Sequence, residues 1–232
     1  VSDRISRNPP NGFLGVNIGP NKETKNKAED YYYCLSKLPI YTNYITINIS
    51  SPNTEGLRNF HNVADMEKLL VGINKIKKKH NIKKTIVIKI SPDINENEIN
   101  GIVDLINQHD IQGIIVCNTT DKNRTHLQDS KKNEKGGLSG QPLKDLSTEL
   151  IKKFYKETKG KVKIIGVGGV DSGKTAYEKI CAGANVIQLY TGMVYKGPGI
   201  VKKIKKELIS ILKKNNLKNI SEAVGISTWP LL

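Results

Sequence analysis

Aromatic residues are scarce in this chain: among 232 residues there are three Phe, one Trp and nine Tyr. No RNP-type sheet signature accompanies them, so stacking platforms for nucleic-acid bases are unsupported. Nucleic acid is therefore not an expected partner, despite a formal charge of +15 from 37 Lys and Arg against 22 Asp and Glu. Such a balance also attracts anionic membranes and acidic ligands. The runs Lys75, Lys77, Lys78, Lys79 and Lys202, Lys203, Lys205, Lys206, however, fall on helical patterns with apolar residues between them, the pattern of a solvated helix face. Cysteine is equally sparse. Cys34, Cys117 and Cys181 lie far apart with no CxxC spacing, which excludes a disulfide framework and a structural zinc site. His61, His80, His109 and His126 show no ligand spacing, so no metal is expected. Long apolar runs are missing too: none approaches the roughly 20 residues that span a bilayer, and no signal-peptide pattern opens the chain. The first residue is Val instead of Met, as expected of a processed or truncated product.

What is present suffices for a folded domain. With 37% hydrophobic residues the chain is no disordered polycation, and its length predicts a single domain over 1–232 with a lead-in at 1–11. Six short Ile- and Val-rich runs read as strands: Phe13 to Ile18, Tyr44 to Ser50, Thr85 to Ile90, Gly113 to Cys117, Val162 to Val167 and Asn185 to Tyr190. Five are nearly continuous apolar stretches, as in a parallel sheet covered on its outer face. Between them, Lys25 to Leu38, Asp65 to His80, Glu96 to His109, Leu146 to Thr158 and Gly173 to Ala182 carry apolar residues at three- and four-residue spacing. The order is β-α-β-α throughout. A last helix, Gly199 to Lys214, groups Val201, Ile204, Leu208, Ile211 and Leu212 on one face, which suits packing on the sheet or an amphipathic membrane contact. Asn95 and Glu98 form a capping-box pattern. The segment Thr119 to Leu143 shows neither periodicity, and a connection of that length is either an active-site lid or a disordered insert.

Parallel strands share one C-terminal rim, where α/β barrels and open α/β sheets bind ligands. Here the rim reads Asn17, then Asn48 with Ser50-Ser51-Pro52-Asn53-Thr54, then Lys89, then Asn118-Thr119-Thr120. Amides and an ammonium at four successive strand ends offer donors and acceptors to a flat, heteroatom-rich ligand. The last two ends differ: Gly166-Val167-Gly168-Gly169 and Tyr190-Thr191-Gly192. Glycine-rich turns after the last two strands of such a barrel bind phosphate through backbone N–H groups, or are simply tight βα turns. Gly168 to Thr175 also satisfies G-x-x-x-x-G-K-T after a strand and before a helix, the context of a P-loop. A P-loop NTPase is thus the alternative, although the following strand ends Gln188-Leu189-Tyr190 with no Walker-B carboxylate. Cys117 at a strand end suits a buried structural thiol or a nucleophile.

Asn48-Ile49-Ser50-Ser51-Pro52-Asn53-Thr54, Asn118-Thr119-Thr120, Gly136-Gly137-Leu138-Ser139-Gly140, Gly166-Val167-Gly168-Gly169 and Gln188-Leu189-Tyr190-Thr191-Gly192 closely resemble the dihydroorotate dehydrogenase family, over about Gly12 to Gly225. The resemblance implies an FMN-containing (β/α)8 TIM-type barrel that oxidises dihydroorotate to orotate in pyrimidine synthesis. A serine at Ser51, where class 1 members carry cysteine, implies class 2, whose members are membrane-associated and pass electrons to a quinone. On that resemblance Ser51 is the base that takes the C5 proton while hydride leaves C6 for the flavin. Asn48, Asn53, Asn118 and Thr119 would hold the pyrimidine. Asn17, Asn48, Lys89, Cys117, Gly140, Gly169, Tyr190 and Thr191 would contact FMN, the last three near its phosphate. A serine of ordinary pKa needs a relay through water or a neighbouring hydroxyl such as Thr54. Eight strands make a barrel and only six are visible, so the first two βα units are expected to be absent from this chain, together with the family's N-terminal membrane and quinone-binding helices. The implied location is the mitochondrial inner membrane in a eukaryote or the cytoplasmic membrane in a bacterium.

Overall fold

The computed structural model describes residues 2–37, 42–109, 111–122 and 124–228. In chain order the elements are α1 (Ser2–Arg7), β1 (Gly15–Ile18), α2 (Lys27–Lys37), β2 (Tyr44–Asn48), α3 (Val63–Lys79), β3 (Thr85–Lys89), α4 (Glu96–Gln108) and β4 (Gly113–Val116). After these come α5 (Lys144–Glu157), β5 (Lys163–Val167), α6 (Gly173–Cys181), β6 (Val186–Gln188), α7 (Thr191–Lys196) and α8 (Ile200–Lys214). Each of the six expected strands is present, somewhat shorter than its apolar run. Leu38, the expected end of α2, lies outside the described residues. The chain divides into two compact units, one of Val1–Lys89 with Ile94–Gly113 and one of Ile90–Asp93 with Ile114–Leu232.

In the first unit β1, β2 and β3 are parallel neighbours, with Asn17 opposite Thr46 and Asn48 opposite Lys89. Ile45, Ile47, Ile86 and Ile88 are buried on these strands. Helix α3 buries Met66, Leu69, Leu70 and Ile73, the i, i+3, i+4, i+7 stripe of an amphipathic helix. Each such side chain contributes about 2 kcal/mol on burial. The lysines Lys77, Lys78 and Lys79 close its last turn, where the helix dipole favours cations. Helix α4 opens on the expected capping box: the Asn95 carboxamide oxygen accepts from the Glu98 N–H at 3.0 Å and Glu98 Oε2 accepts from the Asn95 N–H at 2.8 Å.

In the second unit the strand order β4-β5-β6 follows the chain, and β5 and β6 are parallel. All four residues of β4 are buried. Ile90 joins this unit: its N–H donates to Ile115 O at 3.2 Å, and its carbonyl accepts from Asn118 N–H at 2.9 Å. Helices α6 and α8 enclose Val170, Ala176, Ile200 and Ile204, with Leu208 packed against them. So α8 packs through the expected Ile204 and Leu208, but its first contact is Ile200 and not Val201, which is 41% exposed. The connection from Thr119 to Leu143 is pinned at its base, where Thr120 and Leu138 form an antiparallel bridge. Inside it the Arg124 guanidinium donates to the carbonyls of Lys132, Glu134 and Gly136. Asn123 lies outside the described residues. No helix among the described residues is long and apolar enough to cross a membrane.

Candidate active site

In the first unit the parallel register decides which strand ends are neighbours. Asn48 closes β2 and Lys89 closes β3, and the two are directly paired, so an amide and an ammonium adjoin on one rim. Both are partly buried, whereas Asn17 near the end of β1 is exposed. The loop after β2 is held by its own polar groups. Asn48 Oδ1 accepts from the Ser50 hydroxyl at 2.8 Å, and the Arg58 Nε–H donates to Ser50 O at 3.4 Å. Ser51, partly buried, accepts from the Asn53 N–H at 3.2 Å through its Oγ. An N–H donor at that oxygen favours negative charge on it, which lowers the cost of the hydroxyl giving up its proton. The Asn53 side chain sits in an exposed position.

In the second unit Cys117 is buried and its N–H donates to Val167 O at 3.2 Å. Asn118 turns its Oδ1 back onto the Thr119 N–H at 2.8 Å, and both residues are half-buried. Gly140, Gly169 and Thr191 line one cavity of about 720 Å³. Two of these positions need glycine: Gly140 has φ +80° and Gly169 φ +69°, conformations that L side chains rarely adopt. A Cβ on Gly140 would lie 3.0 Å from Thr191 Cγ2, and one on Gly169 would lie 2.5 Å from Lys144 Cβ. Bare backbone with positive φ beside a hydroxyl is a cradle for an oxyanion. Thr191 Oγ1 donates to the Ser139 hydroxyl at 2.9 Å, and Gln141 Nε2 donates to Gly169 O at 3.1 Å, which tie the three turns together. Tyr190 leads into α7 with its side chain 78% exposed. At the cavity edge Lys196 pairs with Asp171 at 2.8 Å and holds that carboxyl below its usual range.

The P-loop alternative finds no support in the same turns. Ser172 and Thr175 form a capping box, in which Thr175 Oγ1 accepts from the N–H groups of Asp171 and Ser172 and Ser172 Oγ accepts from the Thr175 N–H. The hydroxyl that would meet a metal ion is thus engaged in the helix cap. The Glu207 carboxylate accepts from the Gly173 N–H, which places a negative charge where a P-loop would take its phosphate. Lys174 is exposed.

Two residues beyond the sequence reading support the rims. Tyr31, fully buried on α2, donates its hydroxyl to Asn48 O at 2.6 Å; burial and the nearby Asp30 charge push its pKa up. Lys179, fully buried on α6, donates to three oxygens of α5. Its position between Ala176 and Ile180 on a buried helical stripe is the one sequence signal for it.

A family model described as dihydroorotate dehydrogenase matches residues 3–212. The dihydroorotate dehydrogenase (quinone) of Trichodesmium erythraeum is 43% identical over 233 residues, which cover 95% of this chain and 61% of that protein. The mitochondrial dihydroorotate dehydrogenase (quinone) of Mus musculus is 39% identical over 215 residues, 92% of this chain and 54% of that protein. The crystal structure of DHODH from Eimeria tenella in complex with ferulenol superposes with a TM-score of 0.90 at 34% identity, covering 99% of this chain and 66% of that one. The chain therefore spans less than two thirds of the length of each of these relatives. The parallel strands alternating with helices, taken with this likeness, are those of an α/β fold of the TIM type. On sequence and structure together, the chain belongs to the dihydroorotate dehydrogenase family.

Proposed function

We propose that this chain forms the larger part of the catalytic barrel of a class 2 dihydroorotate dehydrogenase, which oxidises dihydroorotate to orotate in de novo pyrimidine synthesis with a quinone as final acceptor. The observation that carries the reading is the pairing of Asn48 with Lys89 at one rim, with Ser51 in the loop that follows Asn48. Ser51 takes the C5 proton of the substrate and passes its own proton to water or to a neighbouring hydroxyl such as that of Thr54. The Asn53 N–H steadies the Ser51 oxygen meanwhile. Loss of that proton together with hydride from C6 leaves the C5=C6 double bond of orotate. Asn48, Asn53, Asn118 and Thr119 hold the pyrimidine through amide and hydroxyl groups.

The residues present fit FMN, in keeping with a family of flavoenzymes. Asn17, Asn48, Lys89 and Cys117 would hold its ring; Gly140, Gly169, Tyr190 and Thr191 would hold its ribityl phosphate end, where the cavity wall includes bare backbone at Gly140 and Gly169 and the Thr191 hydroxyl. FMN supplies the hydride acceptor when bound and relays the electrons to quinone. Lys89 keeps a positive charge at the rim that favours negative charge on the bound rings. In the complete flavoprotein, Ser51→Ala should retain flavin while slowing its anaerobic reduction by dihydroorotate by about 10²-fold or more, and Ser51→Cys should retain part of the rate. Unchanged reduction in Ser51→Ala would assign the base elsewhere, and a colourless protein would overturn the cofactor.

The same reading gives the working enzyme two further βα units and a quinone-binding, membrane-associating segment, supplied by the same polypeptide or by a separate one, with the mitochondrial inner membrane or the bacterial cytoplasmic membrane as the location. Supporting it, β6 pairs with β5 on one side and with no strand on the other among the described residues, and Val186 on that strand is 54% exposed. An apolar edge with no described strand beside it invites another strand. Residues 1–232 expressed alone should bind little flavin and self-associate; a stable monomer with stoichiometric FMN and full turnover would refute the need for further units.

A further inference from the structure

Lys179 is 0% exposed, and none of its three partners is a carboxylate. Its Nζ donates to Lys144 O at 3.2 Å, to Ser147 Oγ at 3.2 Å and to Thr148 Oγ1 at 3.0 Å, so all three ammonium protons are used. Burying a cation among neutral oxygens does little for stability compared with a well-packed apolar side chain. What it does supply is direction. Because an ammonium only donates, both hydroxyls must accept from it, and their own protons are forced the other way. Ser147 then donates to Val167 O at 2.6 Å, and Thr148 donates to Lys144 O at 2.8 Å.

Val167 is the last residue of β5 and immediately precedes Gly168 and Gly169. The turn that Lys179 organises also packs directly on those glycines. A Cβ on Gly168 would lie 3.0 Å from Ser147 Cβ, and one on Gly169 would lie 2.5 Å from Lys144 Cβ and 2.7 Å from Lys144 Cα. Helix α5 has no side-chain cap of its own at this end: its cap position is Leu143. Its first turn is instead fastened from α6, through the ammonium.

We infer that Lys179 is a positioning residue for the cofactor phosphate: by locking the first turn of α5 against the end of β5, it fixes the backbone of Gly168 and Gly169 in the conformation that forms the phosphate cradle. The inference rests on the FMN reading given above and adds to it a residue that touches neither cofactor nor substrate. It requires that loss of the ammonium be felt at the phosphate and not at the ring. FMN and riboflavin differ by that phosphate alone, so their affinity ratio isolates it.

The test uses apoprotein prepared from the complete polypeptide and titrated with FMN and with riboflavin, following quenching of flavin fluorescence. Lys179→Met should lower the preference for FMN over riboflavin by about tenfold or more while riboflavin affinity changes less than about threefold. An unchanged ratio, or an equal loss for both flavins, would overturn the inference, because a merely structural role weakens both alike. If Lys179→Met yields no folded protein, Ser147→Ala is decisive in the same assay: a ratio lowered about threefold or more supports the inference, and an unchanged ratio overturns it. A wild-type apoprotein with no preference for FMN would overturn the cofactor reading itself, an outcome distinct from a wild-type preference that survives in the variants.

Discussion

The buried ammonium of Lys179 should write itself into the pH dependence of stability. Burial is the main cause that pushes its pKa down from 10.5 to about 8; Lys144 adds to it, while Cys117, Glu178 and Asp145 oppose it. The sign follows from which state protonates first. As pH falls from 10.5 the unfolded chain takes up the proton and the folded chain does not, so folding is penalised progressively until about pH 8 and uniformly below it. Each pH unit between the two values is worth about 1.4 kcal/mol, so the whole contribution is about 3 kcal/mol, gained as pH rises. Tyr31, Cys34 and Cys181 act the other way: burial raises each above its ordinary value, and stability is lost as pH rises past the point where these groups ionise in the unfolded chain. These thiols already begin to titrate below pH 9, so Lys179 is isolated by the difference between wild type and a variant without it, to which it contributes about 1 kcal/mol between pH 8 and 9. The assay is urea unfolding of the complete protein and of its Lys179→Met variant at pH 7, 7.5, 8 and 9. The stability difference between them should shift in favour of wild type by about 1 kcal/mol from pH 8 to 9 and stay flat from 7 to 7.5. A difference independent of pH across the whole range would show that Lys179 titrates normally, and the account of its burial would fail.

Two further outcomes follow from single hydrogen bonds. Tyr31→Phe removes the buried hydroxyl that donates to Asn48 O, and leaving that carbonyl without the donor should lower stability by about 1 to 2 kcal/mol in thermal melts and raise the KM for dihydroorotate in steady-state assays. Asn95→Ala removes one half of the α4 capping box and should lower the urea midpoint by the equivalent of about 1 kcal/mol while leaving the rate of flavin reduction unchanged.

The strands were legible because their burial on both faces leaves an unbroken apolar run, as in the Gly113-Ile114-Ile115-Val116 stretch of β4. Helices were legible where a buried stripe repeats over three turns or more, as in α3. The helix starts at Val63, two residues before the apolar pattern implies, because its cap, Asn62, which accepts from the Ala64 N–H at 3.0 Å, precedes the apolar stripe. The two short helices α1 and α7 leave no pattern in the sequence for the opposite reason. Helix α1 buries no residue, and α7 is six residues long with a glycine at its second position, so neither has room for a period to show. In α8 the residues Ile200 and Val201 are adjacent and both apolar, and only the packing against α6 decides that Ile200 is the one inside.

At the candidate site, most of the residues stand out because they lie at or just after a strand end, and a shared strand direction puts such ends on the same side within a unit; Gly140, at the far end of the connection after β4, stands out only by its glycine-rich string. Their supports did not stand out. Tyr31 reaches a carbonyl 17 residues away and Lys179 reaches a hydroxyl 32 residues away, and nothing in either residue's own neighbourhood specifies the partner. The false P-loop shows the converse problem. Ser172 and Thr175 stand three apart before a helix, and that spacing serves a capping box as well as a phosphate loop, since both answer the same unpaired N–H groups at a helix start. The residue that separates the two is Glu207, 34 positions downstream, whose carboxylate already meets the Gly173 N–H. A local string can specify which backbone groups need a partner; which partner arrives is a property of the packed chain.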